Sequence, residues 1–142
     1  MQAALHEAER AASLEEVPVG AAILRAGAVV AVAHNETVRR RDPTAHAELL
    51  ALQRAFQTLE VDRLDDCTLY VTKEPCPMCA GAIVLARVPR VVYAAPDPKA
   101  GAAGSVLNVL AEPKLNHRPE VAGGLLAGES AALLQAFFAS RR

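Results

Sequence analysis

Cys67-Thr68-Leu69-Tyr70-Val71-Thr72-Lys73-Glu74-Pro75-Cys76-Pro77-Met78-Cys79 changes character half-way along its length. Thr68 to Thr72 is a short β-branched and apolar run with the composition of a buried strand. After the break at Pro75, Pro77 stands where a first helical turn tolerates a missing amide, and the apolar residues that follow predict a helix from about Pro77 to Ala86. Arg90 to Ala94, bounded by Pro89 and Pro96, reads as a further strand. Cys76 and Cys79 are three apart, so on one helical turn their sulfurs face a common point. The helix start carries partial positive charge, which favours the thiolate that binds metal.

A second half of this pattern lies about 26 residues upstream, as His46-Ala47-Glu48. Leu49, Leu52, Ala55, Phe56 and Leu59 recur at helical spacing and predict a helix from Ala45 to Leu59, with Asp42-Pro43-Thr44 as its turn and N-cap. His46 then joins Cys76 and Cys79 as a third donor. Three side chains around a zinc ion leave a fourth position for water, which separates a hydrolytic site from a structural one. Glu48 lies two residues beyond His46, a spacing that does not share a helical face. It reads as a proton carrier beside the metal: zinc lowers the pKa of water from about 15.7 to about 7, and one carboxylate can take and return the protons that hydrolysis moves. Taken alone, Cys76-x-x-Cys79 also fits a redox pair, and a fourth ligand such as Cys67 or another histidine would make the site structural. Cys67 is expected to be a buried, inert thiol, and His6, His34 and His117 to be surface or satisfied loop positions.

Outward from this nucleus, Val19–Leu24 and Ala28–Ala33 predict a hairpin around Ala26-Gly27. Met1–Leu14 predicts an amphipathic helix and lacks the continuous apolar core of a signal peptide. Pro96–Pro119 reads as a long irregular loop, a length often associated with function. Glu120-Val121 reads as a short strand and Glu129–Ser140 as a closing helix. The 142 residues, 52% of them hydrophobic, predict one domain spanning 1–142. Its class is α/β, a three-layer α/β/α sandwich with a mixed sheet of about five strands. No stretch is long enough to span a membrane, so a soluble, cytoplasmic protein is expected.

A net charge of −1 argues weakly against a nucleic-acid partner. Arg39-Arg40-Arg41 and Arg141-Arg142 are basic runs whose relevance depends on whether the fold brings them to the mouth of the metal site. Only 4% of residues are aromatic and none is Trp, so the chain lacks the stacking platforms of general single-strand binders.

The chain resembles the bacterial tRNA-specific adenosine deaminases over nearly its whole length, from about Val17. His-x-Glu…Pro-Cys-x-x-Cys is the signature of zinc deaminases acting on nucleobases in general. The matching segments also include Val17-Pro18-Val19-Gly20-Ala21, Asn35 and Asp42-Pro43-Thr44-Ala45. Those that look like the tRNA branch in particular are Asp97 through Ser105, Asn116-His117 and the Phe137-Phe138-x-x-Arg141-Arg142 ending. The resemblance implies a cytidine deaminase-like fold. It implies one zinc ion per subunit on His46, Cys76 and Cys79, with Glu48 shuttling protons to and from a zinc-bound hydroxide. The reaction would convert the wobble adenosine of a tRNA anticodon stem-loop to inosine. Asn35 would bond the flipped base, and Asp97, Lys99 and Asn116 would touch neighbouring nucleotides. A homodimer would use Phe138 and the terminal arginines to help hold the anticodon loop. Lys73, Thr37 and the Arg39–Arg41 run depart from the family pattern without touching a metal ligand; Lys73 is expected at the pocket rim. The alternative is a small-molecule deaminase acting on guanine, cytosine or a nucleoside, and the Asp97–Ser105 stretch and the C-terminal helix favour RNA.

Overall fold

The computed structural model describes residues 1–141. Strands β1 (Gly20–Arg25) and β2 (Ala28–His34) form an antiparallel hairpin. Ala26 and Gly27 turn it with positive φ at both positions, 52° and 80°, the backbone whose twist matches that of the flanking strands. On its other side β1 pairs antiparallel with β3 (Cys67–Lys73). From there β4 (Arg90–Ala95) and β5 (Glu120–Gly123) continue the sheet in parallel, giving the order β2-β1-β3-β4-β5.

The α-helices among the described residues are α1 (Gln2–Ser13), α2 (Thr37–Arg40), α3 (Ala47–Leu59), α4 (Pro77–Ala86) and α5 (Ala127–Ala139). α3 and α4 share one layer, while α1 and α5 pack together on the opposite face. The architecture is therefore the expected three-layer sandwich. Ile23, Leu69, Val71 and Val91 meet Leu50, Ala51, Ile83 and Val84 in the core beneath α3 and α4. On the other side Ala4, Ala8 and Ala11 are fully buried along α1. These small residues allow the helix backbone to approach the sheet closely. At Gly20 the approach is such that a Cβ would lie 2.0 Å from the Ala4 carbonyl oxygen and 2.5 Å from the Ala8 nitrogen.

Three local expectations change. The core stripe of α3 is wider than expected: Leu52 and Ala55 are buried and Phe56 and Leu59 pack against the core, but Ala47, Leu50 and Ala51 are buried too, while Leu49 is only half so. Alanine at four-residue intervals lets α3 seat closely, and leucine spacing alone did not reveal it. Asp42 does not cap α3; its Oδ1 accepts the Thr44 amide at 2.9 Å and the Thr44 hydroxyl at 2.6 Å, closing a turn one step earlier. The N-cap of α3 is His46, in extended backbone with ψ 150°. His34 is buried at the end of β2, where its Nδ1 lies 3.0 Å from Glu7 Oε2. His117 is a satisfied loop position, with Nε2 2.6 Å from the Val88 carbonyl oxygen.

Candidate metal centre and substrate pocket

Two helix starts converge at one point. His46 is the N-cap of α3 and Cys76 the N-cap of α4, each in extended backbone and neither capping its own helix with its side chain. Freed from capping, both side chains turn toward Cys79, in the first turn of α4. Cys76 Sγ and Cys79 Sγ each lie 3.5 Å from His46 Nδ1, and the three donor atoms fall within 4.8 Å of one another. Zinc bonds of about 2.3 Å to sulfur and 2.0 Å to nitrogen, at the tetrahedral angle, place S and N about 3.5 Å apart. Donor chemistry and spacing therefore fit a zinc ion. Two sulfurs, one imidazole and no fourth side chain in the group leave one coordination position open, and Cys67 is not part of it.

Electrostatics at the centre follow from the convergence. The Cys79 side chain, then the His46 ring, hydrogen-bond Cys76 and hold its thiol down at about 4, so it is a thiolate at neutral pH. The hydrogen bond that the Cys79 thiol gives this thiolate pushes the Cys79 pKa up, helped by burial. The same thiolate, through its hydrogen bond, raises the His46 pKa. Cys67, by contrast, is buried away from the centre, and burial with the adjacent Asp66 pushes its thiol up to about 11. It is the inert thiol the sequence predicts.

Above the three donors opens a cavity of about 270 Å³, at the small end of ligand pockets and of a size for one flat heterocycle. His46, Glu48 and Cys76 form its floor. Glu48, in the first turn of α3, is 4% exposed, and burial pushes its carboxyl up to about 7. It is not one of the three clustered donors. Val17, Val19, Asn35 and Thr37 line it from one part of the chain, and Lys73, Glu74, Asp97 and Ala100 from another. Asn35 is buried to 6% and its Nδ2 donates to Thr37 Oγ1 at 3.4 Å. Asp97 Oδ2 is 3.3 Å from Lys73 Nζ and its Oδ1 accepts the Lys99 and Ala100 amides. Burial raises the Asp97 carboxyl, but the Lys99 amide, the Lys73 charge and the Ala100 amide outweigh it and hold the group below the usual carboxylate range.

Of the sequence-derived residues, Asn35, His46, Glu48, Cys76 and Asp97 line this one cavity, and Cys79 completes the donor group at its floor. Lys73 sits at the rim as expected. Lys99 is exposed on the loop just beyond Asp97. Phe138 is 48% exposed near the end of α5, edge-on to Phe137 at 5.3 Å. Arg141 stacks 3.6 Å over Phe137 and reaches the carbonyl oxygen of Glu15, close in sequence to the pocket residue Val17. Asn116 stands elsewhere, its carbonyl accepting from Arg87 at the far end of α4, about 15 Å along that helix from Cys76. Arg39 and Arg40 are on α2 and Arg41 caps it, next to the pocket residue Thr37; Arg142 lies outside the described residues.

Two buried carboxylates that fasten the lips of the pocket were not given a role by the sequence. Glu16 is 1% exposed and accepts the amides of Val38 and Arg39 at 3.0 and 2.7 Å, fastening α2 at the pocket lip. Glu74 is 2% exposed and fastens the opposite lip. Glu74 was visible as the neighbour of Pro75-Cys76, whereas nothing in the sequence marks Glu16.

A family model described as MafB19-like deaminase matches residues 1–142. A tRNA-specific adenosine deaminase of Bacillus subtilis (strain 168) is 46% identical over 142 residues, which is 100% of this chain and 88% of that protein. A solved structure from studies of A-to-I editing by tRNA:A34 deaminases at the wobble position of transfer RNA superposes with a TM-score of 0.91 at 44% identity, covering 94% of this chain and 97% of that chain. A guanine deaminase from Nitrosomonas europaea shares the fold at a TM-score of 0.83 and 28% identity, covering 96% and 81%.

Proposed function

Because the chain belongs to the tRNA-specific adenosine deaminases and to the MafB19-like deaminase family, we propose that it hydrolyses adenosine to inosine at the wobble position of a tRNA anticodon. The observation that carries the chemistry is a floor of three soft donors with a separate buried carboxylate beside them. His46, Cys76 and Cys79 would hold one zinc ion per chain. When bound, zinc supplies Lewis acidity and makes a water nucleophilic near neutral pH. Glu48 takes one proton from the attacking water and passes it to the ring nitrogen beside the amine-bearing carbon. It then takes the second water-derived proton from the new C6 hydroxyl and gives it to the departing amine as the carbonyl forms. Adenosine and water thus become inosine and ammonia, with the carboxylate returned to its starting state. Asn35 offers an amide to the edge of the extruded base, and the 270 Å³ cavity excludes its neighbours.

Outside that cavity, Asp97 and Lys99 meet the adjoining nucleotides, whose unstacked edges and ribose hydroxyls suit short polar side chains. The exposed face of Phe138 offers a surface for stacking. Asn116 would make its contact away from the cavity. Arg39 and Arg41, exposed next to Thr37, place positive charge at the lip for phosphates.

A homodimer is supported by α4, which carries no charged residue. Its outer stripe of Met78, Ala82 and Leu85 ends in a leucine that is 81% exposed, and a helix apolar all round is normally covered. Among the described residues no helix is long and apolar enough to cross a membrane, and a tRNA substrate is met in the cytoplasm.

The deciding experiment gives the zinc-loaded protein an anticodon stem-loop with a wobble adenosine, and separately guanine and cytidine. Inosine should form in the RNA. Turnover of the free compounds alone would transfer the chain to the small-molecule reading that its guanine deaminase neighbour represents. Glu48→Ala should lower kcat by about 10²–10⁴-fold while about one zinc per chain is retained. Loss of zinc in that variant would make Glu48 a ligand.

A further inference from the structure

Glu74 lies between Lys73, which pairs with Asp97, and the Pro75-Cys76 turn, and the reaction above gives it no task. Its carboxylate is nonetheless fully engaged. Oε1 accepts the Asp97 amide at 3.1 Å and the Ser105 hydroxyl. Oε2 accepts the Ala103 amide at 2.9 Å and the Ser105 amide at 3.1 Å. Four donors fill the accepting capacity of a carboxylate, so none is left for a substrate. Every one of them comes from a single loop, residues 97–105. The loop closes around the carboxylate tightly enough that a Cβ at Gly101 would lie 2.4 Å from Glu74 Cδ and 2.4 Å from Oε2. One further bond, from the Ala102 amide to the Pro75 carbonyl at 2.8 Å, ties the same loop to the same turn.

We propose that Glu74 is a positioning residue: it holds the Asp97–Ser105 loop in the shape that reads the nucleotides flanking the target adenosine, and so sets specificity without touching the reacting atoms. This rests on the RNA-editing reading above. A buried carboxylate accepting amide hydrogens is held by charge-assisted bonds, about twice as strong as neutral ones. Replacing one oxygen by an amide nitrogen turns an acceptor into a donor that faces other donors, and the loop is released. The catalytic floor, built from α3 and α4, does not depend on those bonds. Binding and discrimination should therefore suffer while the chemical step survives.

The test compares wild type, Glu74→Gln and Ser105→Ala. Zinc per chain is measured, together with kcat and KM for the wobble-adenosine stem-loop and for stem-loops altered at each flanking nucleotide. Amide hydrogen exchange across residues 97–105 is followed in parallel. Glu74→Gln should raise KM on the order of tenfold, the equivalent of about 1.4 kcal/mol. Its kcat should stay within about threefold, a change under 1 kcal/mol. Preference for the native flanking nucleotides should narrow by a factor similar to the KM change, zinc should be retained, and exchange at Ala103 and Ser105 should accelerate. Ser105→Ala, which removes one donor of four, should move the same quantities less far. A fall in kcat at unchanged KM would make Glu74 part of the chemistry and overturn the proposal. Loss of zinc, or unchanged KM and exchange, would overturn it equally. A wild type that edits no stem-loop would defeat the RNA reading and the specificity role with it, and the exchange rates would then report separately on whether Glu74 holds the loop.

Discussion

The three buried carboxylates that line the pocket are put to different uses by their partners. Glu48 has burial as its dominant influence and is pushed up to about 7. Glu74 spends all four accepting directions on one loop. Asp97 combines two amide donors with the Lys73 ammonium and stays below the usual carboxylate range. A group with its folded pKa depressed contributes stability that is complete above its unfolded value, roughly 3.9 for Asp, and is lost as pH falls through the folded value. Asp97→Asn should thus lower Tm by roughly 3 °C for each kcal/mol lost at pH 6–7, and the gap to wild type should close below about pH 4. Thermal unfolding followed by circular dichroism over that pH range checks it; a gap independent of pH would mean that the charge is not what holds Asp97. The donor set and Glu48 were legible because metal and proton chemistry tolerate few residue types at fixed spacing. Glu16 was not legible, since a carboxylate that binds backbone amides leaves no pattern beyond its own letter.

At the scale of elements, reading succeeded where local chemistry punctuates the chain. Pro77 and the apolar run to Ala86 bound α4 as expected, and the Ala26-Gly27 turn places the hairpin. It failed for α2, whose four residues include two arginines and have no room for a period. It was incomplete for α3, where Ala47 and Ala51 join the expected Leu52 and Ala55 in the buried stripe. α1 shows the same use of small residues, with Ala4 and Ala8 crossing Gly20 at backbone distance. Gly20→Ala should push α1 off the sheet at a cost of about 1–3 kcal/mol, a fall in Tm of roughly 3–10 °C. Zinc binding should persist, because the donors stand on α3 and α4 across the sheet. Differential scanning calorimetry with metal analysis checks both; an unchanged Tm would show that α1 yields at no cost.

For the whole molecule, the apolar outer stripe of α4 is the surface that most needs covering. In a two-fold dimer each copy of Leu85 is buried once, and each burial is worth about 1.5–3 kcal/mol. Leu85→Glu should therefore weaken self-association by at least on the order of a hundredfold and leave Tm nearly unchanged at dilutions where wild type is already monomeric. Sedimentation velocity across a concentration series decides; an unshifted monomer–dimer equilibrium would locate the interface elsewhere. The sheet order was less legible than the elements, because the switch from antiparallel to parallel pairing at β3 depends on crossovers that no local pattern records. That switch also has a meaning in time. The antiparallel trio β2-β1-β3 is complete when Lys73 leaves the ribosome, and all three metal donors together with Glu48 and Asn35 have emerged by Cys79. The parallel pairs need their crossovers first, and the loop that Glu74 grips is synthesised only after β4. The residues of the donor group are thus synthesised before the loop that closes over Glu74.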